Sequence, residues 1–265
     1  MSQTAWKGFL NLGLLSIPIK LYGAAREERI GLNQLHRPCN SRIKMPRSCP
    51  TCNREVKNDE IVNAYEYSKG RYVTVTEEEM EALAPVSNHL MEIEATVKGA
   101  EVDPVYFGDS YYVVPEPAGA QAYTLLAQAL RKAKLGALAR LSRRQRERVM
   151  VIRPFGKGLL CHAMHYGAEV RQVAEFGVVA EAAVTPQEVT LATKLLGSLE
   201  GPFEPENYED GYQVRLAELL DKKQKGETVT ATPAPTPRAP AVDMLAALQA
   251  SLDAAARKRG RAAVQ

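Results

Sequence analysis

The sequence is poor in cysteine and in aromatic residues, with 4 cysteines, 1 tryptophan and 5 phenylalanines among 265 residues. So few cysteines exclude a small secreted scaffold held by disulfides, and a chain of this length can bury a core without such staples. No apolar run approaches the length of a membrane span. Phe9–Ile19 follows Lys7 like a leader peptide, but Asn11, Ser16, Pro18 and Lys20 interrupt it, so the chain reads as cytoplasmic. Phosphate-cradling G-x-x-x-x-G-K-[ST], dinucleotide-binding G-x-G-x-x-G and nucleophile-elbow G-x-S-x-G motifs are all missing. His162-Ala-Met-His165 could bind a metal only on a helix. The surrounding residues favour a strand, where positions three apart face opposite ways, so one histidine should be buried and the other exposed. Cys161, in the same apolar run, reads as a small buried hydrophobe.

The net charge of +3 says little, but its distribution says more. Arg131, Lys132, Lys134, Arg140, Arg143, Arg144, Arg146, Arg148, Arg153 and Lys157 are crowded into one stretch with Glu147 as its single acid. The acids gather elsewhere, at 77–81 and 200–210. Such asymmetry points to a surface for polyanions, with a merely solvated basic face as the alternative.

His36-Arg-Pro-Cys39 and Cys49-Pro-Thr-Cys52 bring three of the four cysteines and one histidine together. Two x-x-spaced pairs suit a tetrahedral Zn²⁺, because each pair can curl around the ion in a tight turn. Each turn holds a proline, and each is followed by Asn (Asn40, Asn53), the residue that best replaces glycine at positive φ. The expected site is closed and structural, with His36, Cys39, Cys49 and Cys52 as ligands. Free thiols in two turns are the alternative.

Along the chain, Trp6–Tyr22 reads as a hairpin, as do Ile61–Tyr67 and Arg71–Thr76 around Ser68-Lys69-Gly70. Thr76-Glu-Glu-Glu79 is a capping box for a short helix ending at Ala84 before Pro85. His89–Val97, Val105–Phe107 and Ser110–Val114 are expected to be extended. Gly119–Lys134 is an amphipathic helix with Tyr123, Leu126, Ala127 and Leu130 on one face. Strands return at Ala137–Leu141, Arg148–Arg153 and Gly158–Tyr166. Thr185-Pro186-Gln-Glu188 opens a helix to about Leu199, and another runs from about Tyr208 to Lys225. These elements make residues 1–227 an α+β core. Residues 228–241 form a Pro/Thr/Ala-rich linker. In residues 242–265, Val242, Leu245, Leu248 and Leu252 mark a short amphipathic docking helix, followed by the basic run Arg257, Lys258, Arg259 and Arg261.

Several segments together resemble the prokaryotic Ku family of DNA end-binding proteins. They are Ala5-Trp6-Lys7-Gly8 with Leu14–Tyr22, Asn33-Gln-Leu-His36 with Ser41–Lys44, Cys49–Cys52, and Glu60–Val62 with Tyr65–Tyr67. Lys69–Val73, Asp103–Tyr106 and Tyr111–Pro115 follow in the family's order, so the likeness covers residues 2–225. The resemblance implies a β-barrel with helical arms, a homodimeric ring that threads a broken duplex end, and nucleoid association. It also implies recruitment of the bacterial ATP-dependent DNA ligase of non-homologous end joining. Zinc is not guaranteed by the family, since its members differ in the cysteines they keep.

A ring that reads no sequence should meet phosphates through Lys and Arg. The candidates are Arg42, Lys44 and Arg47 by the cysteine turns, Arg131, Lys132 and Lys134, then Arg143, Arg144 and Arg146, and the tail cations Arg257, Lys258, Arg259 and Arg261. The Val242–Leu252 face is the candidate ligase contact. Two rival readings are a zinc-containing sequence-specific DNA-binding regulator, which would need a helix to read base edges, and a metal-dependent nuclease built on the histidines. Non-enzymatic end binding accounts for more of the residues than either.

Overall fold

The computed structural model describes residues 3–83, 89–143, 146–177, 183–227 and 244–262. The chain divides into two compact units, Met1–Glu28 with Asn33–Glu175, and Arg29–Leu32 with Phe176–Gln265.

The first unit is built on a closed seven-stranded barrel, in the order β1 (Thr4–Leu12), β2 (Leu15–Gly23), β8 (Phe107–Pro115), β11 (Gly158–Met164), β10 (Arg146–Phe155), β9 (Leu135–Arg143) and β7 (Leu90–Lys98). Six neighbouring pairs are antiparallel, and the ring closes through a parallel pairing of β1 with β7, Phe9↔Leu90 to Asn11↔Glu92. Alternation along each strand sets what faces inward. Trp6, Leu10, Ile17, Ile19, Leu21, Met91, Val113, Ala139, Met150, Ile152, Leu159 and Cys161 are buried together. The inward position between Trp6 and Leu10 must be Gly8, because a Cβ there would strike the His89 carbonyl oxygen and the Trp6 ring. That carbonyl accepts the Phe9 N–H at 2.8 Å and so helps to close the seam.

Helix α2 (Ala120–Ala133) packs on this barrel through the face expected from its periodicity, with Tyr123, Leu126, Ala127 and Leu130 all buried. The Tyr123 hydroxyl donates to the Val113 carbonyl at 2.7 Å and accepts the Leu159 N–H at 2.8 Å, so it joins α2 to two strands. Burial pushes its phenol pKa above the ordinary value. α2 ends at Lys134, whose φ of 56° turns the chain directly into β9.

Between β2 and β7 lie two further two-stranded ribbons, β3 (Ser48–Cys49) with β4 (Arg54–Glu55) and β5 (Asn63–Ser68) with β6 (Arg71–Val75). Helix α1 (Glu77–Ala82) follows, with the Thr76–Glu79 capping box in place. One expectation fails here. Val105 is not extended, because Pro104–Tyr106 is a 3₁₀ turn whose start is capped by the Asp103 carboxylate, and the strand begins only at Phe107.

The second unit holds α3 (Pro186–Leu199), α4 (Gly211–Gln224) and α5 (Met244–Ala262). Thr185 caps α3 as expected, and α4 starts later than Tyr208 because Asp210 takes the N-cap, accepting from Tyr212 and Gln213. The Ile30 N–H donates to Gln213 Oε1 at 3.0 Å, which ties segment 29–32 to α4. The tail differs from its sequence reading in two ways. α5 continues through Arg257–Arg261, so the basic run is helical backbone rather than an extension beyond a short helix. α5 also packs against α3, with Leu245, Leu248 and Leu252 half-buried, so the apolar face assigned to docking is engaged within the chain. Val242 and the linker 228–241 lie outside the described residues.

Tyr123→Phe removes one hydroxyl and leaves a buried carbonyl and a buried N–H without partners. The expected loss is about 2 kcal/mol or more, read as a lower urea midpoint with an unchanged denaturant slope.

Candidate nucleic-acid interface

The two cysteine turns form as their sequence spacing suggests. Around His36–Cys39, Leu35 pairs with Arg42, the His36 N–H donates to Ser41 at 2.8 Å, and Asn40 sits at φ 54°. Around Cys49–Cys52, Cys49 pairs with Arg54, the Val56 N–H donates to Arg47 at 2.9 Å, and Asn53 sits at φ 49°. Both asparagines therefore occupy the left-handed region for which glycine is the usual choice.

Within each turn the donors meet. His36 Nδ1 lies 3.0 Å from Cys39 Sγ. Backbone N–H groups of Cys52 and Thr51 hold the Cys49 thiol below its usual pKa, and the Cys49 sulfur beside it pushes Cys52 up. The Ser41 hydroxyl and N–H lower Cys39. Each turn thus sets two metal-type donor atoms side by side, with the thiolate favoured at Cys39 and Cys49 and disfavoured at Cys52. Among the described residues, however, no three His, Cys, Asp or Glu side chains are gathered closely enough to share an ion, so the two pairs stand as separate halves.

These hairpins carry the first group of candidate cations. Arg42 lies on one hairpin strand, Arg47 flanks the other and reaches Asn58 Oδ1 at 3.2 Å, and Lys44 lies between them; all three are exposed. Arg54 is differently occupied, in a two-pronged pair with Glu60 at 2.5 and 3.0 Å that lowers the Glu60 pKa.

The β5–β6 ribbon adds a group that charge counting missed. Every residue from Asn63 to Thr74 is exposed, including Tyr65 at 68%, Tyr67 at 52% and Tyr72 at 61%. Arg71 stacks over the Tyr67 ring at 5.7 Å, and Lys69 and Gly70 form the tip. The available signal was tyrosines interleaved with Lys69 and Arg71, a composition suited to phosphates and bases alike.

The remaining candidates divide. Arg131 donates to the Gly156 carbonyl at 2.7 Å and so braces the β10–β11 turn, whereas Lys132 and Lys134 have no ion-pair partner among the described residues. Arg143 and Arg146 are backbone register partners where β9 meets β10, and Arg144 lies outside the described residues. Arg257, Lys258, Arg259 and Arg261 lie on the last turns of α5. On the barrel wall Arg140 is committed to Glu94 at 2.7 Å and Glu147 at 3.3 Å, and the Glu94 carboxyl is held below its ordinary pKa by that guanidinium. A bulge between Ile93 and Ala95 brings Glu94 to that pairing.

His162 is buried and His165 exposed, but not by strand alternation: residues 159–163 of β11 are all buried, and His165 lies just past the strand's end at Met164. Arg153 Nε donates to His162 Nε2 at 2.9 Å, which leaves the proton on Nδ1 to be donated to Ser110 Oγ at 2.8 Å. This histidine can neither ligate a metal through Nε2 nor deprotonate Ser110. Cys161 is fully buried, and desolvation raises its thiol far above the usual range.

On the barrel Lys7, Lys20 and Arg140 are thus paired with carboxylates, while the insertions between β2 and β7 offer exposed cations and tyrosines. That arrangement defines a β-barrel protein with exposed two-stranded ribbons inserted between β2 and β7. A family model described as the Ku70/Ku80 beta-barrel domain matches residues 11–191. The chain is 40% identical over 259 residues to the Non-homologous end joining protein Ku of Symbiobacterium thermophilum, covering 97% of this chain but only 64% of that relative. It is 39% identical over 254 residues to the protein of that name from Koribacter versatilis, covering 96% of this chain and 87% of the relative. The Bacillus subtilis protein of that name is 37% identical over 254 residues, 95% of this chain and 82% of the relative. The chain belongs to the Ku family.

Burial, and secondarily the Arg153 charge, lowers the His162 pKa. Below the ordinary histidine value of about 6.5 the unfolded chain therefore binds the extra proton first, and stability is lost as pH falls. Urea midpoints should drop between pH 7.5 and 5.5, and His162→Gln should flatten that slope.

Proposed function

We propose that this protein binds double-stranded DNA ends without sequence preference, as a homodimeric ring, and serves non-homologous end-joining repair as a scaffold rather than an enzyme. The observation that carries this reading is the β5–β6 ribbon, exposed on both faces from Asn63 to Thr74. A two-stranded ribbon is marginal in water by itself, so one rich in tyrosine, lysine and arginine fits a role completed by a polyanion and a second copy. The names carried by the relatives point the same way.

Phosphate contacts are assigned to Arg42, Lys44 and Arg47 on the cysteine hairpins and to Lys69 and Arg71 on the ribbon. Contacts to phosphates position a duplex without reading it. The regulator reading requires a helix after Cys52, but residues 54–60 form β4 and a 3₁₀ turn. The nuclease reading loses its metal pair, because His162 is tied to Arg153 and Ser110. The ATP-dependent ligase of end joining is the proposed partner. Its docking through α5 would require Leu245, Leu248 and Leu252 to leave α3. Among the described residues no helix is long and apolar enough to cross a membrane.

Zinc is proposed as a structural ion. It would be held by His36, Cys39, Cys49 and Cys52 once the two separate pairs close on one ion, and it would then tie the hairpin of Arg42 to that of Arg47, fixing both cations before DNA arrives. Metal analysis should find one zinc per chain, and Cys49→Ser with Cys52→Ser should lower the thermal midpoint. A metal-free protein of unchanged stability would remove the ion from this account.

Binding to a linear duplex should far exceed binding to a covalently closed circle of the same sequence at matched salt. Complexes should be trapped when the linear DNA is circularised afterwards. Equal binding to both forms would replace the ring with a surface contact. Arg42→Ala and Lys44→Ala should each reduce the log–log salt slope by about 1, uniformly across sequences.

A further inference from the structure

Tight turns between strands usually carry polar residues. The β1–β2 turn carries leucines instead. Leu12 is 44% exposed and Leu14 fully so, on either side of Gly13 at φ 56°. Leu15, the next residue, lines a groove of about 800 Å³ with Ala118, Ala122, Leu125 and Gln128, along the first half of α2. Leu125 is 63% exposed although α2 already buries a complete apolar face in the barrel, so it is not a residue of the core. Leu15 and Leu125 line this groove, and the exposed Leu12 and Leu14 stand on the turn that leads into Leu15, an apolar exposure of the kind that marks an interaction site.

Charge identifies what covers it. Gln121, Leu125, Gln128 and Lys132 fall on one stripe of α2, with Lys132 about 10 Å beyond Leu125 along the helix axis. The Arg131 bond to Gly156 at 2.7 Å brings the β10–β11 turn, and Lys157 with it, to the same end of α2. Lys132, Lys134 and Lys157 have no ion-pair partner among the described residues. No residue lining the groove is acidic. At its other end Glu116 is neutralised by Lys7 at 2.8 Å and Lys20 at 3.3 Å, and its carboxyl pKa is lowered accordingly. A phosphate backbone would satisfy the lysines and leave the leucines in water. We propose that this groove docks an amphipathic acidic segment of a protein partner, its apolar side chains on Leu14, Leu15 and Leu125 and its carboxylates on Lys132, Lys134 and Lys157.

The test uses the full chain and three labelled synthetic helical peptides of about 16 residues. The first has Leu at i, i+3, i+4 and i+7 with Glu on its polar side, the second is its scramble, and the third carries Lys in place of Glu. The acidic amphipathic peptide should bind at least about tenfold more tightly than either control at moderate salt. Leu14→Ser and Leu125→Ser, both at exposed positions, should abolish that preference while end binding and the dimer persist. Lys132→Glu with Lys134→Glu should shift the preference to the lysine peptide. Three results would each overturn the proposal: equal binding of all three peptides, loss of DNA affinity in the lysine variant with its peptide preference unchanged, or dissociation of the dimer in the leucine variants. The second would hand the cations to DNA, and the third would make the patch a face between copies.

Discussion

A ring of seven strands cannot alternate in direction all the way round, because an odd count leaves one pair of neighbours running the same way. In this protein that pair is β1 and β7, and everything else in the barrel depends on its closing. The parallel seam is short, three residue pairs long, and at its edge the His89 carbonyl comes close to the chain at Gly8. Any side chain at position 8 would hold the two strands apart. The Trp6 ring covers the same spot, so the Trp6-Lys-Gly8 step serves geometry and not ligand binding. Three of the other pairings, β1 with β2, β9 with β10 and β10 with β11, are antiparallel hairpins set by their own turns, and three, β2 with β8, β8 with β11 and β7 with β9, join strands far apart in the chain.

The closed barrel is then filled from one side by α2. Nonpolar contacts supply most of that attachment, but Tyr123 orients it by bonding two different strands. A helix held in this way offers its opposite stripe, Gln121, Leu125, Gln128 and Lys132, as a rigid surface. The wall chemistry follows the same economy. Arg140 is matched by Glu94 and Glu147, and Lys7 and Lys20 by Glu116, while Arg153 donates to the His162 ring without its charge being cancelled.

The cations proposed to bind phosphate, from Arg42 to Arg71, lie in the segment between β2 and β7. Its ribbons are short and exposed, and have little core of their own. Two devices give them shape. Asparagines in the left-handed region allow each cysteine turn to close, and the Arg54–Glu60 pair braces the second hairpin at its base. A metal ion at the cysteines and a polyanion against the ribbon would supply what packing does not.

Local patterns in the sequence were enough to determine the hairpins, the capped helices, the buried face of α2 and the knuckle turns with Asn40 and Asn53. Each of these depends on spacing within a few residues, where period, capping and φ preference act directly. The family too was legible, through the order of its segments. Strand order, the parallel seam and the partners of Arg131, Arg140 and Arg153 were decided only by tertiary structure, because they join residues far apart in the chain. A basic residue in a list looks the same whether it braces a turn or waits for a phosphate. The apolar spacing of Leu245, Leu248 and Leu252 likewise announced a buried helix face, but not that the surface burying it would be α3. Periodicity encodes that a face must be covered, and only the folded chain settles by what.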